Sequence, residues 1–446
     1  MKVLLVTQRF PPALGGVETW AAELAGALTE LGHHVLVLSR DSGSPARDTD
    51  RDAYSTWTET TNGFTVLWTH QSHENERGFR DSWHNPMMAA PMLRALSDFN
   101  PDIVHVAHND GWGVTPLRFA EAAGIPTVVT LHDYKWICAR GQMMRPGGDR
   151  CTEVSEDRCV RCIDRQLRAV PARRLLRRVL AGPPRQKIES RDELRIVENR
   201  PDPGPRARQA WRRRQLGLLA ALHSADRVTS PSQFVADRMC ANGLDREVLV
   251  VPNGAGADPR SSGEEPRRLP RPVRVGVFGR PKANKGFDFL VTAFQSLPPG
   301  AAELHIHGAD AAEFTGALPP GATAHGPYPS GTSADLMRAI DVVAIPSLWD
   351  ENHPMIAVEA LRARRPLIVS NLGGLPELVR HDIDGWVLGA GDAEAWGQQL
   401  ALLAADPGRI TAAQKQLPPP RGGRAMASDF VDLYESVLSP ATGTRP

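Results

Sequence analysis

The strongest constraint on this chain is an alternation of short, unbroken apolar runs with segments of helical period. Residues 3–7 form a continuous run, as a strand buried on both faces requires. A loop rich in breakers follows (Pro11-Pro12-Ala13-Leu14-Gly15-Gly16). Then Trp20, Ala21, Leu24, Ala25, Leu28 and Leu31 recur at a spacing of three to four, with Gly32 at the helix end. Further apolar runs lie at 35–38, 103–106 and 127–131. The pattern restarts at 273–279, with a helix over Phe289 to Phe294 and strands at 303–308, 341–346 and 366–370. Strand–loop–helix order with unbroken strands predicts an α/β fold of two parallel, doubly wound sheets. Such sheets bind ligands beyond the carboxyl ends of their strands, and two of them predict a cleft between domains.

Composition narrows the class. The 446 residues carry 52 basic and 51 acidic side chains, a net charge of +1, with 41% hydrophobic and 23% charged residues. That excludes wholesale disorder and a whole-protein nucleic-acid binder. No stretch approaches the roughly 18 apolar residues of a membrane span. The first seven residues turn polar too early for a signal peptide. Five cysteines in so long a chain do not make a secreted disulfide scaffold. The expected location is the cytoplasm. Composition breaks predict a first domain over 1–257, a linker over 258–272 rich in Pro, Arg, Ser and Gly, and a second domain over 273–423. A terminal helix and tail follow over 424–446, with Phe430, Val431, Tyr434 and Val437 on one side of the helix.

Four constellations carry chemistry. Glu351 and Glu359 stand eight residues apart just past a predicted strand, the first in a loop and the second about one turn into a helix. Carboxylates there suit the vicinal hydroxyls of a sugar or ribose, and the helix start suits phosphate; ordinary surface ion pairs explain them equally well. Gly279-Arg280 and Lys285-Gly286 follow the first strand of the second domain. An Arg fork and a compact Lys charge fit a diphosphate leaving group; a solvated basic turn is the alternative. Gly15-Gly16 is either a tight turn or an anion loop. His132 stands at a strand's carboxyl end, as a donor to a substrate hydroxyl or as a structural histidine.

Taken in order, Gly15-Gly16-x-Glu18, His132-Asp133, Ser230-Pro231-Ser232, Val251-Pro252-Asn253-Gly254, Gly279-Arg280-x4-Lys285-Gly286, Glu351-x7-Glu359 and Gly373-Gly374-x2-Glu377 span nearly the whole chain. Together they resemble the retaining, nucleotide-sugar-dependent glycosyltransferases of family 4, with the GT-B fold of two Rossmann-like domains facing a cleft. The glycine that usually follows the first glutamate is replaced by Asn352-His353.

The resemblance implies roles. Arg280 and Lys285 grip the donor diphosphate, and Glu359 holds the ribose. Glu351 and His132 meet the transferred sugar. Met355, Ile356 and Ala357 offer N–H groups to phosphate. Gly15 and Gly16 leave room for donor and acceptor, Asn253 lies on the donor side, and the terminal helix crosses back onto the first domain. It implies no catalytic metal, a UDP- or GDP-linked sugar as donor, and a hydroxyl acceptor such as a lipid-linked one. The expected activity is retaining hexosyl transfer in envelope, polysaccharide or glycoside synthesis. A sugar-nucleotide epimerase of the same fold and a non-catalytic sugar-nucleotide-binding protein are the alternatives.

Two segments lie outside that pattern. Cys138, Cys151, Cys159 and Cys162 fall within 25 residues. Their spacing predicts a structural zinc first, with an iron–sulfur cluster, disulfides or buried thiols as alternatives. The arginine-rich insertion over 163–215 includes Leu175, Leu176, Val179 and Leu180 beside Arg173, Arg174, Arg177 and Arg178. It predicts either peripheral contact with the inner membrane face or a solvated helical face, with nucleic acid excluded.

Overall fold

The computed structural model describes residues 1–41, 52–71, 78–163, 203–256, 272–314, 317–329 and 332–439. The chain divides into two compact units. Met1–Pro231, Val235–Val251 and Ala427–Pro446 form the first, Ser232–Phe234 and Pro252–Met426 the second. Most of the expected linker, residues 258–271, lies outside the described residues, as does 164–202 of the arginine-rich insertion, including its leucine stripe.

The first unit holds β1 (Lys2–Thr7), β2 (His34–Asp41), β3 (Thr56–Thr61), β4 (Phe64–His70), β5 (Ile103–Val106), β6 (Thr127–Thr130), β7 (Arg227–Ser230) and β8 (Leu249–Val250). They form one sheet in the order β3-β4-β2-β1-β5-β6-β7-β8. All neighbours are parallel except β3, which pairs antiparallel with β4. Its helices are α1 (Gly16–Glu30), α2 (Ala89–Phe99), α3 (Thr115–Ala122), α4 (Glu156–Cys162) and α5 (Pro205–Ser224), with α6 (Gln233–Cys240) begun in the second unit. Val3, Leu4, Leu5 and Val6 are completely buried, as are Leu24 and Leu28 on one face of α1. Each such aliphatic side chain contributes about 1.5–3 kcal/mol.

The second unit holds β9 (Val273–Phe278), β10 (Ala302–His307), β11 (Ala322–Ala324), β12 (Val342–Ile345), β13 (Leu367–Ser370) and β14 (Gly385–Leu388). The sheet order is β11-β10-β9-β12-β13-β14, all parallel. Its helices are α7 (Phe287–Gln295), α8 (Ser333–Arg338), α9 (Met355–Arg362), α10 (Ala393–Ala405) and α11 (Gly408–Gln416); α12 (Gly423–Leu438) starts here. Val275, Val277, Leu304, Ile306 and Trp396 anchor its core.

In each sheet the order turns at the first strand, between β1 and β5 and between β9 and β12. That is the topological switch point of a doubly wound sheet, where the loops leaving the carboxyl ends diverge and a crevice opens. The Gly15-Gly16 loop leaves β1. The Arg280–Lys285 loop leaves β9, and the Glu351 loop leaves β12. The expected α/β architecture is therefore observed, with an antiparallel edge strand that was not anticipated. No helix among the described residues is long and apolar enough to cross a membrane.

Candidate active site

The loops at the switch point of the second unit are built around one buried carboxylate. Glu351 is 5% exposed. Its Oε1 accepts from Lys285 Nζ at 2.5 Å, Ser347 Oγ at 2.8 Å and Trp349 Nε1 at 2.8 Å. The ammonium of Lys285 also stands 5.2 Å from the centre of the Trp349 ring, a cation–π contact. Leu348 N donates to Asn284 O at 2.8 Å, joining the two loops by main chain. The approach is close enough to require Gly286: it adopts φ 71°, and a Cβ there would lie 1.8 Å from Pro346 O.

The remaining motifs of this unit support the same loop. Gly373, at φ 62°, lies against the Glu351 main chain, where a Cβ would come within 2.1 Å of Glu351 O. Gly374 N donates to Glu351 O at 2.7 Å. Ser232 Oγ donates to Asn352 Oδ1 at 2.5 Å, and Asn253 Nδ2 to His353 O at 2.8 Å. Glu377 accepts from Gln233 N (2.9 Å) and Phe234 N (2.7 Å), capping the start of α6. Burial pushes the His353 imidazole down to about 4.

Arg280 lies exposed in the loop after β9. Glu359 sits half-buried on α9. It faces Tyr328, whose hydroxyl burial and this carboxylate push up to about 12. Of the three expected N–H donors, Ala357 is already committed to Pro354 O at 2.9 Å.

Sequence reasoning missed an aromatic column beside Tyr328. Phe278 stacks on His307 (4.8 Å), His307 on His325 (4.5 Å) and His325 on His305 (5.2 Å). Tyr328 meets Phe278 and His307 edge-on. Burial, then the charges of His325 and His305, push His307 down to about 4. The available signal was His305 and His307 two residues apart on one strand, which puts both on one face.

At the carboxyl edge of the first unit, Gly15 and Gly16 lie exposed at the start of α1. Glu18 holds Arg9 at 2.9 Å. His132 is half-buried, its ring 4.2 Å from that of Trp20. Beside it, Asp133 pairs with His108 at 2.9 Å, and Lys135 with Asp110 at 3.1 Å. Burial alone would depress His108, but Asp133 holds it above the ordinary imidazole value. Burial would raise Asp110, yet Lys135, Arg40 and His108 hold it well below the carboxylate range.

The four clustered cysteines are unpaired thiols lining one cavity. Among the described residues no group of three or more His, Cys, Asp or Glu side chains is arranged to hold a metal ion. The single structural zinc expected from the spacing is thus not supported. The described end of the arginine-rich insertion is engaged locally. Arg208 pairs with Glu156 (3.0 Å) and Asp157 (2.6 Å), Arg212 Nη2 donates to Glu156 at 2.8 Å, and Arg214 is buried.

Residues 14–157 match the model of Glycosyltransferase Family 4, and residues 272–406 that of Glycosyl transferases group 1. A D-inositol 3-phosphate glycosyltransferase of Xylanimonas cellulosilytica is 29% identical over 218 residues, covering 46% of this chain and 51% of that protein. One of Rhodococcus jostii is 36% identical over 84 residues, covering 19% of this chain and 18% of that protein. The chain thus spans about half the length, or less, of these relatives. Among solved structures, sucrose-phosphate synthase from Thermosynechococcus elongatus superposes with a TM-score of 0.61 at 16% identity, covering 98% of this chain and 99% of that one. The Anabaena protein HepE, solved with UDP and glucose, gives 0.61 at 17% identity, covering 98% and 100%. The likeness establishes the GT-B fold, and the two family models, matched in chain order, place residues 14–157 and 272–406 in the family 4 and group 1 glycosyltransferases.

Proposed function

We propose that the protein transfers a hexosyl group from a nucleotide-diphosphate sugar to a hydroxyl acceptor with retention of configuration. The observation that carries this reading is the Lys285–Glu351 pair at the switch point of the second sheet, with Arg280 exposed in the same loop as Lys285. Lys285 and Arg280 neutralise the departing diphosphate, the task a metal ion performs in other phosphate chemistry. The first N–H groups of α9, at Met355 and Ile356, point the same way in function, since a helix start favours an anion. Glu359 takes the ribose hydroxyls, and Glu351 those of the transferred sugar. His132, Gly15 and Gly16 keep the sugar and acceptor roles that the family pattern gives them.

Three donors already satisfy Glu351 Oε1. A carboxylate oxygen that already accepts three hydrogen bonds is weakened as a nucleophile. That favours same-face attack, with the leaving phosphate taking the acceptor's proton, over a double displacement through Glu351. The relatives named for inositol 3-phosphate make a polyol phosphate a reasonable first acceptor to assay, alongside lipid-linked alcohols.

The test is a binding and turnover screen of UDP-, GDP- and ADP-sugars. Selective stabilisation by one diphosphate and its sugar, with free nucleotide released when acceptor is added, is expected. Isomerised sugar without release would indicate an epimerase, and tight binding without either a non-catalytic protein.

A further inference from the structure

We infer that the protein associates with a second copy of itself, edge to edge through β3, so that two first-unit sheets become one. The inference is independent of the glycosyl-transfer reading. β3 ends its sheet, with β4 on one side. Among the described residues no strand pairs with its other side, and Thr58, Glu59, Thr60 and Thr61 are exposed. An open edge of this kind is a template for a further strand.

The hairpin fixes which main-chain groups face outward. Asn62 and Gly63, at φ 47° and 80°, form the two-residue turn between Thr61 and its partner Phe64, the pattern of a type I′ hairpin. Such a turn closes on a hydrogen-bonded pair, after which bonded and non-bonded pairs alternate. Trp57, Glu59 and Thr61 therefore bond to β4. His70 N donates to Ser55 O at 2.9 Å in the same phase. Thr56, Thr58 and Thr60 turn their N–H and C=O groups away from β4. Arg94 on α2 reaches the first of these, donating to Thr56 O at 3.4 Å.

The side chains do not guard this edge. Proteins commonly protect an open strand with lysine or proline, and Thr-Trp-Thr-Glu-Thr-Thr has neither. Its one charge is held by its own hairpin. Glu59 Oε1 accepts from Trp57 Nε1 at 3.2 Å and Oε2 from Trp68 Nε1 at 3.0 Å, and the two indoles stack at 6.3 Å.

Self-pairing about a two-fold axis has two registers that use most of the strand. Centred on Glu59, the two carboxylates stand opposite each other and repel. Centred on Thr58, Thr58 meets the partner's Thr58, Thr56 meets the partner's Thr60, and Trp57 lies opposite the partner's Glu59. That register joins the outward main-chain groups, matches threonine with threonine, and sets each carboxylate beside an indole N–H donor. The joint lies three strands from β1, about 14 Å at the usual strand spacing, away from the loops at the switch point.

Sedimentation velocity of the full chain across the micromolar range decides. A species of twice the chain mass that dissociates on dilution is expected. Thr58→Pro removes an outward N–H without touching the bonds to β4 and should leave the monomer. Thr58→Lys sets two ammonium groups against each other at the axis and should weaken association by about fivefold or more. In a Cys240→Ser background, Thr58→Cys should cross-link to its counterpart with a short bis-maleimide. Thr61→Cys, about 20 Å from its counterpart in this register, should not. Monomer at every concentration, or a dimer indifferent to both Thr58 substitutions, would overturn the proposal, as would cross-linking at Thr61 in place of Thr58. If the proline variant fails to fold, the unaltered chain and the lysine variant still decide.

Discussion

The two sheets share an order and a switch point but treat the charge at their carboxyl edges differently. In the first unit, cations and carboxylates pair with each other: Lys135 with Asp110, His108 with Asp133, Arg9 with Glu18. In the second, the carboxylate Glu351 is buried, while the Lys285 side chain that it holds is 36% exposed and Arg280 lies open. The first arrangement is a braced frame. The second keeps positive charge facing outward with its anchor already fixed, so an arriving anion meets a preorganised site.

Substitutions can break that contrast. The largest effect is expected from Lys285→Ala, which should lower turnover by a factor on the order of 10²–10³ with the fold intact by circular dichroism. Wild-type kinetics would end the assignment. Next, Lys135→Met should cost about 2 kcal/mol of stability by removing one of the charged partners of buried Asp110. Donor affinity should stay within about twofold in denaturant-free titrations, since Lys135 is paired within the first unit; a larger loss would mean that the first edge contributes to donor binding. Glu359→Ala should weaken donor binding by about tenfold, near the value of one charged hydrogen bond, while Glu351→Ala should depress transfer more than nucleotide affinity. Calorimetry beside steady-state rates separates the two.

A last effect is one of pH. Burial depresses His105 to about 3, and His307 and His353 to about 4. Between pH 6.5 and 4 the unfolded chain binds protons that these folded imidazoles refuse. Stability is therefore full above 6.5 and declines as the pH falls through that window. Melting temperature against pH should show it, and His307→Gln should flatten the slope.

Much of the sheet framework was legible because buried parallel strands are continuous apolar runs. Residues 103–106 are β5 as expected, and 127–131 differs from β6 by one terminal residue. β3 was not legible: Thr-Trp-Thr-Glu-Thr-Thr is mostly exposed at a sheet edge and keeps no apolar alternation. Lys285 and Glu351 were singled out separately by residue type and position. Their contact is tertiary, bridging 66 residues, and Ser347 and Trp349 carried no signal as partners for Glu351. The histidine column escaped for the same reason, since its stacking crosses adjacent strands. In the cysteine segment, spacing brought out four clustered thiols that line one cavity, but it could not show that no group among the described residues is arranged to hold a metal ion.

The end of α12 sets a timetable for synthesis. Phe430 and Tyr434 are fully buried in the first unit, the Tyr434 hydroxyl 2.6 Å from His105 Nδ1 and the Phe430 ring 5.8 Å from Trp20. The ribosome adds about 5–20 residues per second, so Trp20 waits roughly 20–80 s for its neighbour to be made. During that interval the nascent first lobe exposes a greasy slot at its centre, an address for chaperones that closes only once α12 has been made.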